Sequence, residues 1–141
     1  WCMMASPLLC GNDIRNMSQE TKDILLNPEI IAINQDRLGE QGRIIHRDSQ
    51  CVIWKKNLSE GIAIAVCNLA DSRSTMKLDF DMLGIPVRGL LRDAWSHKNL
   101  NPQKILDFRQ RSHDRPSVST NLYQIIVFVR NLKNRKSLSI L

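Results

Sequence analysis

The feature that most constrains this chain is a change of hydrophobic rhythm near residues 37–42. Beyond Gly39-Glu40-Gln41-Gly42 the apolar residues come in short runs, at 43–47, 51–55, 61–69, 74–80, 89–95 and 123–129, separated by turn formers. In one of them Met76, Leu78 and Phe80 alternate with Lys77 and Asp79, which gives one buried and one wet face. Several short strands of this kind predict an antiparallel β-sandwich.

Upstream the rhythm is different. Leu8-Leu9-Cys10, closing at Gly11, is a short unalternating apolar run that predicts a parallel strand covered on both faces. A polar loop follows over 12–17. Ser18 then stands as an N-cap, with Glu20 in the first turn and Ile24, Leu25 and Leu26 after it, so a helix is expected. Asn27-Pro28 ends that helix and opens a second over 28–34, with Pro28 at its first position. Strand, loop and helix in this order read as the last unit of a β/α barrel. The expected fold is therefore α/β plus all-β: residues 1–40 are the incomplete C-terminal end of a (β/α)8 barrel, and residues 41–141 an antiparallel β-sandwich. A barrel strand without its neighbours leaves backbone groups unpaired. In an isolated chain residues 1–36 are thus expected to be loosely held or aggregation-prone, with 43–130 folding alone and proteases cutting first between about Gly11 and Gly42. The opening Trp1-Cys2-Met3-Met4 offers neither an initiator Met nor a basic leader, and reads as the continuation of something larger.

Composition narrows the function. With 43% hydrophobic and 24% charged residues in 141, the chain belongs with globular proteins. No apolar run approaches the roughly 20 residues of a spanning helix, so no membrane partner is expected. The net charge of +6, with Arg130, Lys133, Arg135 and Lys136 clustered near the end, would suit a polyanion. Aromatics make up only 5%, however, and basic residues are spread along the chain, so no nucleic-acid partner is expected. The four cysteines, Cys2, Cys10, Cys51 and Cys67, form no CxxC pair and no Cys/His ligand spacing; no metal site and no cofactor are expected. A hairpin turning near Ser59 would place Cys51 opposite Cys67, which makes the pair a disulfide candidate, with two buried thiols as the other reading. Asn16-Met17-Ser18 and Asn57-Leu58-Ser59 are glycosylation sequons, and together they favour the secretory pathway.

The string Ile31-Ala32-Ile33-Asn34-Gln35-Asp36, followed by Leu38-Gly39 and Gln41-Gly42, resembles the segment joining barrel to sandwich in the α-galactosidase/α-N-acetylgalactosaminidase (melibiase) family. Met4-Ala5-Ser6-Pro7-Leu8 and Asn12-Asp13-Ile14-Arg15 are similar to the family's eighth-strand region. Trp54 with Leu58-Ser59 resembles its first sandwich hairpin, and Arg92-Asp93-Ala94-Trp95 its "aspartate, one residue, tryptophan" segment. Arg37 stands where the family usually has proline, so the turn there lacks a fixed φ. The resemblance implies a retaining glycoside hydrolase acting on terminal α-linked galactose or N-acetylgalactosamine. Its two carboxylates would lie about 5–5.5 Å apart. In the family both are aspartates on earlier barrel strands, in Lys-Tyr-Asp and Arg-x-x-x-Asp contexts that this chain does not contain. No catalytic residue is therefore assigned here, and the chain alone is expected to be inactive. A homodimer and a lysosomal or secreted location are further implications of the resemblance.

Individual residues carry two readings each. Asn12 and Asp13, just after the expected barrel strand, could line the floor of the sugar pocket, or Asp13 could bind loop N–H groups and pair with Arg15. Asp36 reads as a turn residue that binds backbone. His46, His97 and His113 are scattered and read as surface or edge-strand residues. Trp54 and Trp95 could stack on a sugar, but as strand residues they read as core. The alternative to an enzyme portion is a free-standing sugar-binding or interaction module, which would have no use for the barrel-like residues 1–36.

Overall fold

The computed structural model describes residues 1–69, 78–81, 84–85 and 90–101 in full, and the backbone of 75–77, 105–109 and 123–129. The expected helices form where their caps are written. The Ser18 hydroxyl accepts from the N–H of Thr21 and starts α1 (Gln19–Leu25). The Asn27 side chain accepts from the N–H groups of Glu29 and Ile30, and Pro28 opens α2 (Pro28–Asn34). Two 3-10 turns, Cys2–Met4 and Ile14–Asn16, precede them.

The strand expected at 8–11 does not form. That segment is unpaired, with Leu8 and Leu9 42% and 92% exposed. A parallel strand needs hydrogen-bonding neighbours, and every ladder among the described residues is antiparallel. The expectation that all of residues 1–36 are loosely held also needs correction. Met3, Asn27, Ile30, Ile33 and Asn34 are buried, so both ends of the segment are packed in.

The strands are β1 (Arg43–Arg47), β2 (Cys51–Leu58), β3 (Gly61–Asn68), β4 (Thr75–Asp79), β5 (Leu90–Asp93), β6 (Lys98–Leu100), β7 (Ile105–Arg109) and β8 (Tyr123–Val129). They make a six-stranded sheet, β1-β2-β3-β8-β5-β6, and a two-stranded sheet, β4-β7. The sequence reading did not anticipate β6 and β7. The first is only three residues long with one apolar side chain, too short to show a period. The second does alternate, with Leu106 and Phe108 between Asp107 and Arg109, and was legible.

The β2–β3 hairpin overturns the Cys51–Cys67 disulfide. Leu58 pairs with Gly61 around a two-residue turn, Ser59-Glu60, so Cys67 sits opposite Val52 and Cys51 opposite Asn68. One residue of register moves a side chain to the other face of the sheet. The two sulfurs therefore lie on opposite faces, and all four cysteines are free thiols.

Both faces of the large sheet are covered. On one, Cys51, Ile53, Ile64, Val66 and Leu91 pack against Leu78, Phe80 and Ile85 from the smaller sheet and its following turn. On the other, Ala63, Ala65 and Ala94 meet Met3, Ile30 and Ile33 from the N-terminal segment. Each of the larger fully buried side chains contributes roughly 1.5–3 kcal/mol. The unbroken apolar run Ile62-Ala63-Ile64-Ala65-Val66-Cys67 follows from this: β3 has no wet face.

Candidate functional site: the seam between the N-terminal segment and the sheet

The small alanines of β3 let the N-terminal elements approach the sheet closely, and polar groups lock that approach. Lys56, 1% exposed, projects from the same face as Trp54 and Leu58. Its Nζ donates to the carbonyl oxygens of Ile33 (2.6 Å) and Cys2 (3.2 Å). Burial pushes its pKa down, and the charge of Asp36 acts in the opposite direction. At Gly42 the backbone N–H donates to Met3 O at 2.7 Å.

Asp36 opens the turn to Gly39, whose N–H donates to the Asp36 carbonyl at 2.9 Å. Its carboxylate accepts from the N–H of Leu38 and from both the N–H and the hydroxyl of Ser59. Burial raises its pKa, but these hydrogen bonds outweigh burial and hold it below the usual value. The expectation that Asp36 binds backbone at a turn is what the structure shows. Asn27, buried, caps α2 with its oxygen and donates its amide to Ala94 O at 3.0 Å. Glu29, in the first turn of α2, accepts two bonds from the Arg92 guanidinium (2.6 and 2.8 Å) and lies 2.7 Å from His97 Nδ1. The Arg92 bonds hold its carboxyl below the ordinary range.

The Asp93-Ala94-Trp95 segment acquires a physical reason. The Asp93 carboxylate accepts from the N–H groups of Trp95 and Ser96 and from the Ser96 hydroxyl, folding the turn that carries Ala94 and Trp95 into the seam. Trp54 and Trp95 are partly buried against the same cluster as Met3, Ile30 and Ile33, so they pack the seam.

The sugar-pocket candidates are placed differently. Asp13 is exposed, accepts from the backbone and side chain of Arg15, and is held below its usual pKa chiefly by the Arg15 side chain. Asn12 accepts from the Cys10 thiol at 2.7 Å. Asn16 and Asn57 are both exposed, and the Asn57 amide donates to Glu40. His97 joins Glu29 at the seam, His46 lies at the β1–β2 corner, and His113 falls outside the described residues. The basic cluster at Arg130, Lys133, Arg135 and Lys136 also falls outside them. Among the described residues no helix is long and apolar enough to cross a membrane. Sequence reasoning missed Lys56 and Glu29 altogether. Lys56 stands between Lys55 and Asn57 in β2, so nothing local singled it out, and Glu29 likewise carried no signal.

The described residues thus form a β-sheet structure with two capped helices, the second packed on the outer face of its larger sheet. The comparisons agree. Residues 48–123 match the family model of the α-galactosidase C-terminal β-sandwich domain, and residues 1–36 that of α-galactosidase A. The chain belongs to the melibiase family and corresponds to its C-terminal portion. It is 41% identical over 106 residues to α-galactosidase 3 of Arabidopsis thaliana, covering 71% of this chain and 24% of that protein. The crystal structure of α-galactosidase I from Mortierella vinacea superposes with a TM-score of 0.75 at 25% identity, over 92% of this chain and 33% of that one. A β-L-arabinopyranosidase from Geobacillus stearothermophilus shares the fold, with a TM-score of 0.76 at 20% identity, over 95% of this chain and 29% of that one. The chain spans about a quarter of the length of the curated relatives it matches.

Proposed function

We propose that this chain is the C-terminal part of a retaining glycosidase that removes terminal α-linked galactose or N-acetylgalactosamine. In this reading residues 1–40 close a (β/α)8 barrel and residues 41–141 form the sandwich that buttresses it. The observation that supports it best is the division within the N-terminal segment. It is bonded into the seam through Lys56, Asn27 and Glu29, while its Leu8, Leu9, Ile14, Ile24 and Leu26 are exposed. Large apolar side chains exposed in that number are ones the remainder of a barrel would cover.

The chemistry is then carried by two carboxylates supplied by the preceding barrel strands: one attacks the anomeric carbon, the other protonates the leaving oxygen and later activates water. This chain's part is mechanical. The seam fixes the last barrel unit, and a displacement of about 1 Å at a catalytic constellation is enough to cost a large factor in rate. Asn12 and Asp13 are its candidates for sugar contact; with its carboxylate engaged by Arg15, Asp13 organises the loop rather than moving protons. Asn16 and Asn57 would carry glycans, with the enzyme a homodimer in the lysosome or secreted.

The test is hydrolysis of aryl α-galactoside and aryl α-N-acetylgalactosaminide by the full-length enzyme and by this chain alone. The full-length enzyme should cleave at least one and this chain neither. Hydrolysis of neither by the full-length enzyme would overturn the reading.

A further inference from the structure

We propose that His46, Asp48 and Cys51, at the corner where β1 turns into β2, form a binding site for a single zinc-class divalent cation. Their ligand atoms, His46 Nε2, an Asp48 carboxylate oxygen and Cys51 Sγ, all lie within 4.8 Å of one another. His46 Nε2 is 2.9 Å and Cys51 Sγ 3.9 Å from Asp48 Oδ2. Around a tetrahedral zinc, a nitrogen and an oxygen ligand stand about 3.4 Å apart, and a sulfur and an oxygen about 3.6 Å. The pairs made with Asp48 thus need to change by about half an ångström or less, while His46 Nε2 and Cys51 Sγ, within 4.8 Å of each other, must close to about 3.6 Å to share an ion.

Two features of the backbone build this corner. The first is the Asp48 carboxylate, whose Oδ1 accepts from the N–H groups of Gln50 and Cys51, both at 2.7 Å. That anchors one oxygen and leaves Oδ2 facing the imidazole and the thiol. The second is a β-bulge. Ile44 pairs with Trp54, but His46 pairs with Ile53. In an unbroken ladder His46 would oppose Val52 and project from the other face of the sheet, away from Cys51. The bulge turns it onto the face that carries Cys51 and Ile53, a re-aiming for which bulges are known. Ile45 would lie on that face with or without the bulge, so the core does not require it. The turn bonds of Asp48 do not require it either.

One imidazole, one carboxylate and one thiolate suit a borderline cation such as zinc, with water as fourth ligand. The thiol proton passes to solvent on binding. The carboxylate and thiolate then neutralise the ion, and His46 binds as the neutral imidazole. Cys51 sits in the sandwich interior, on the sheet face opposite the seam. The ion would therefore brace the hairpin and take no part in glycoside chemistry.

The test uses this chain, reduced and stripped with chelator, titrated with cobalt(II) as a coloured stand-in for zinc. One equivalent should produce a thiolate-to-cobalt charge-transfer band, removable by zinc. His46→Asn, at an exposed position, should weaken binding at least tenfold. Cys51→Ser should abolish the band, and Cys67→Ser, whose thiol is on the other face, should keep it; circular dichroism confirms that each variant is folded. Absence of the band at excess cobalt, its survival in Cys51→Ser, or unchanged affinity in His46→Asn would each overturn the proposal.

Discussion

The ammonium group of Lys56, on β2, lies 2.6 Å from the carbonyl oxygen of Ile33, in the last turn of α2. The last carbonyls of a helix have no partner within it, and a cation is favourable at that end. A strand residue thus caps a helix from the segment before the sandwich, and its second bond, to Cys2, ties in the first turn of the chain. Lys56→Met keeps most of the buried stem but leaves the Ile33 carbonyl without this donor and the Cys2 carbonyl with only the 3.4 Å bond from the Ala5 N–H. Hydrogen bonds to charged groups are worth about 1.5–3 kcal/mol, so a loss of that order is expected. Urea denaturation measures it, and an unchanged midpoint would show that the seam does not depend on this group.

Gly42 makes the same contact from the other side. A Cβ there would stand 2.7 Å from Met3 O and 3.4 Å from Lys56 Cβ. Backbone cannot yield as a side-chain tip does, so Gly42→Ala should push the Cys2–Met4 turn off the sheet and cost about 1–3 kcal/mol. Gly39 is the control. It has φ +63° and open space around it, so Gly39→Ala should cost only the roughly 1–2 kcal/mol of a left-handed non-glycine residue. The decisive measurement is limited proteolysis. Gly42→Ala should open cleavage near Met3, and Gly39→Ala should leave that site protected.

How much of this was legible in the sequence divides by the range of the interaction. Ser18, Asn27 and Pro28 act on residues two or three positions away, and both helices form where those residues place them. Five of the six strands of the large sheet followed from apolar runs for the same reason; β6, three residues long, did not. Register is another matter. Whether the hairpin turns on one residue or two depends on the turn's own geometry, and that single step separated Cys51 from Cys67. The seam was least legible, because Glu29 and Arg92 are 63 residues apart and nothing local marks either one. The strand at Leu8–Cys10 failed for a further reason: a parallel strand is defined by neighbours, and an apolar run alone supplies none.

The Glu29 cluster gives the seam a pH dependence of definite sign. Arg92 lowers the folded-state pKa of Glu29 below its ordinary 4.5; burial opposes this and His97 adds to it. Below that value the unfolded chain takes up a proton before the folded one does. The stabilisation is therefore complete above about pH 4.5 and is lost as pH falls through the lower folded-state value. Glu29→Gln should be less stable at neutral pH by about 1–3 kcal/mol and show a flatter decline on acidification. Melting curves between pH 3 and 7 (about the range in which carboxylates titrate) would reveal it. Parallel acid limbs for the two proteins would rule out Glu29 as the titrating group.

The thiols report on the register of β2 and β3. Burial, aided by Asp48 for Cys51 and by Cys51 for Cys67, pushes both up to about 11. Since the thiolate is the reactive form, both should alkylate slowly at neutral pH. Cys10 is exposed and should react first. Metal-free protein under native conditions should therefore label quickly at Cys10, with Cys51 and Cys67 following only as the sheet opens in denaturant. The total should reach four thiols without any reductant, as the four free cysteines require. A count of two that rises to four on reduction, with Cys51 and Cys67 the pair released, would mean that those sulfurs share a face, and the Leu58–Gly61 register would be wrong by one residue.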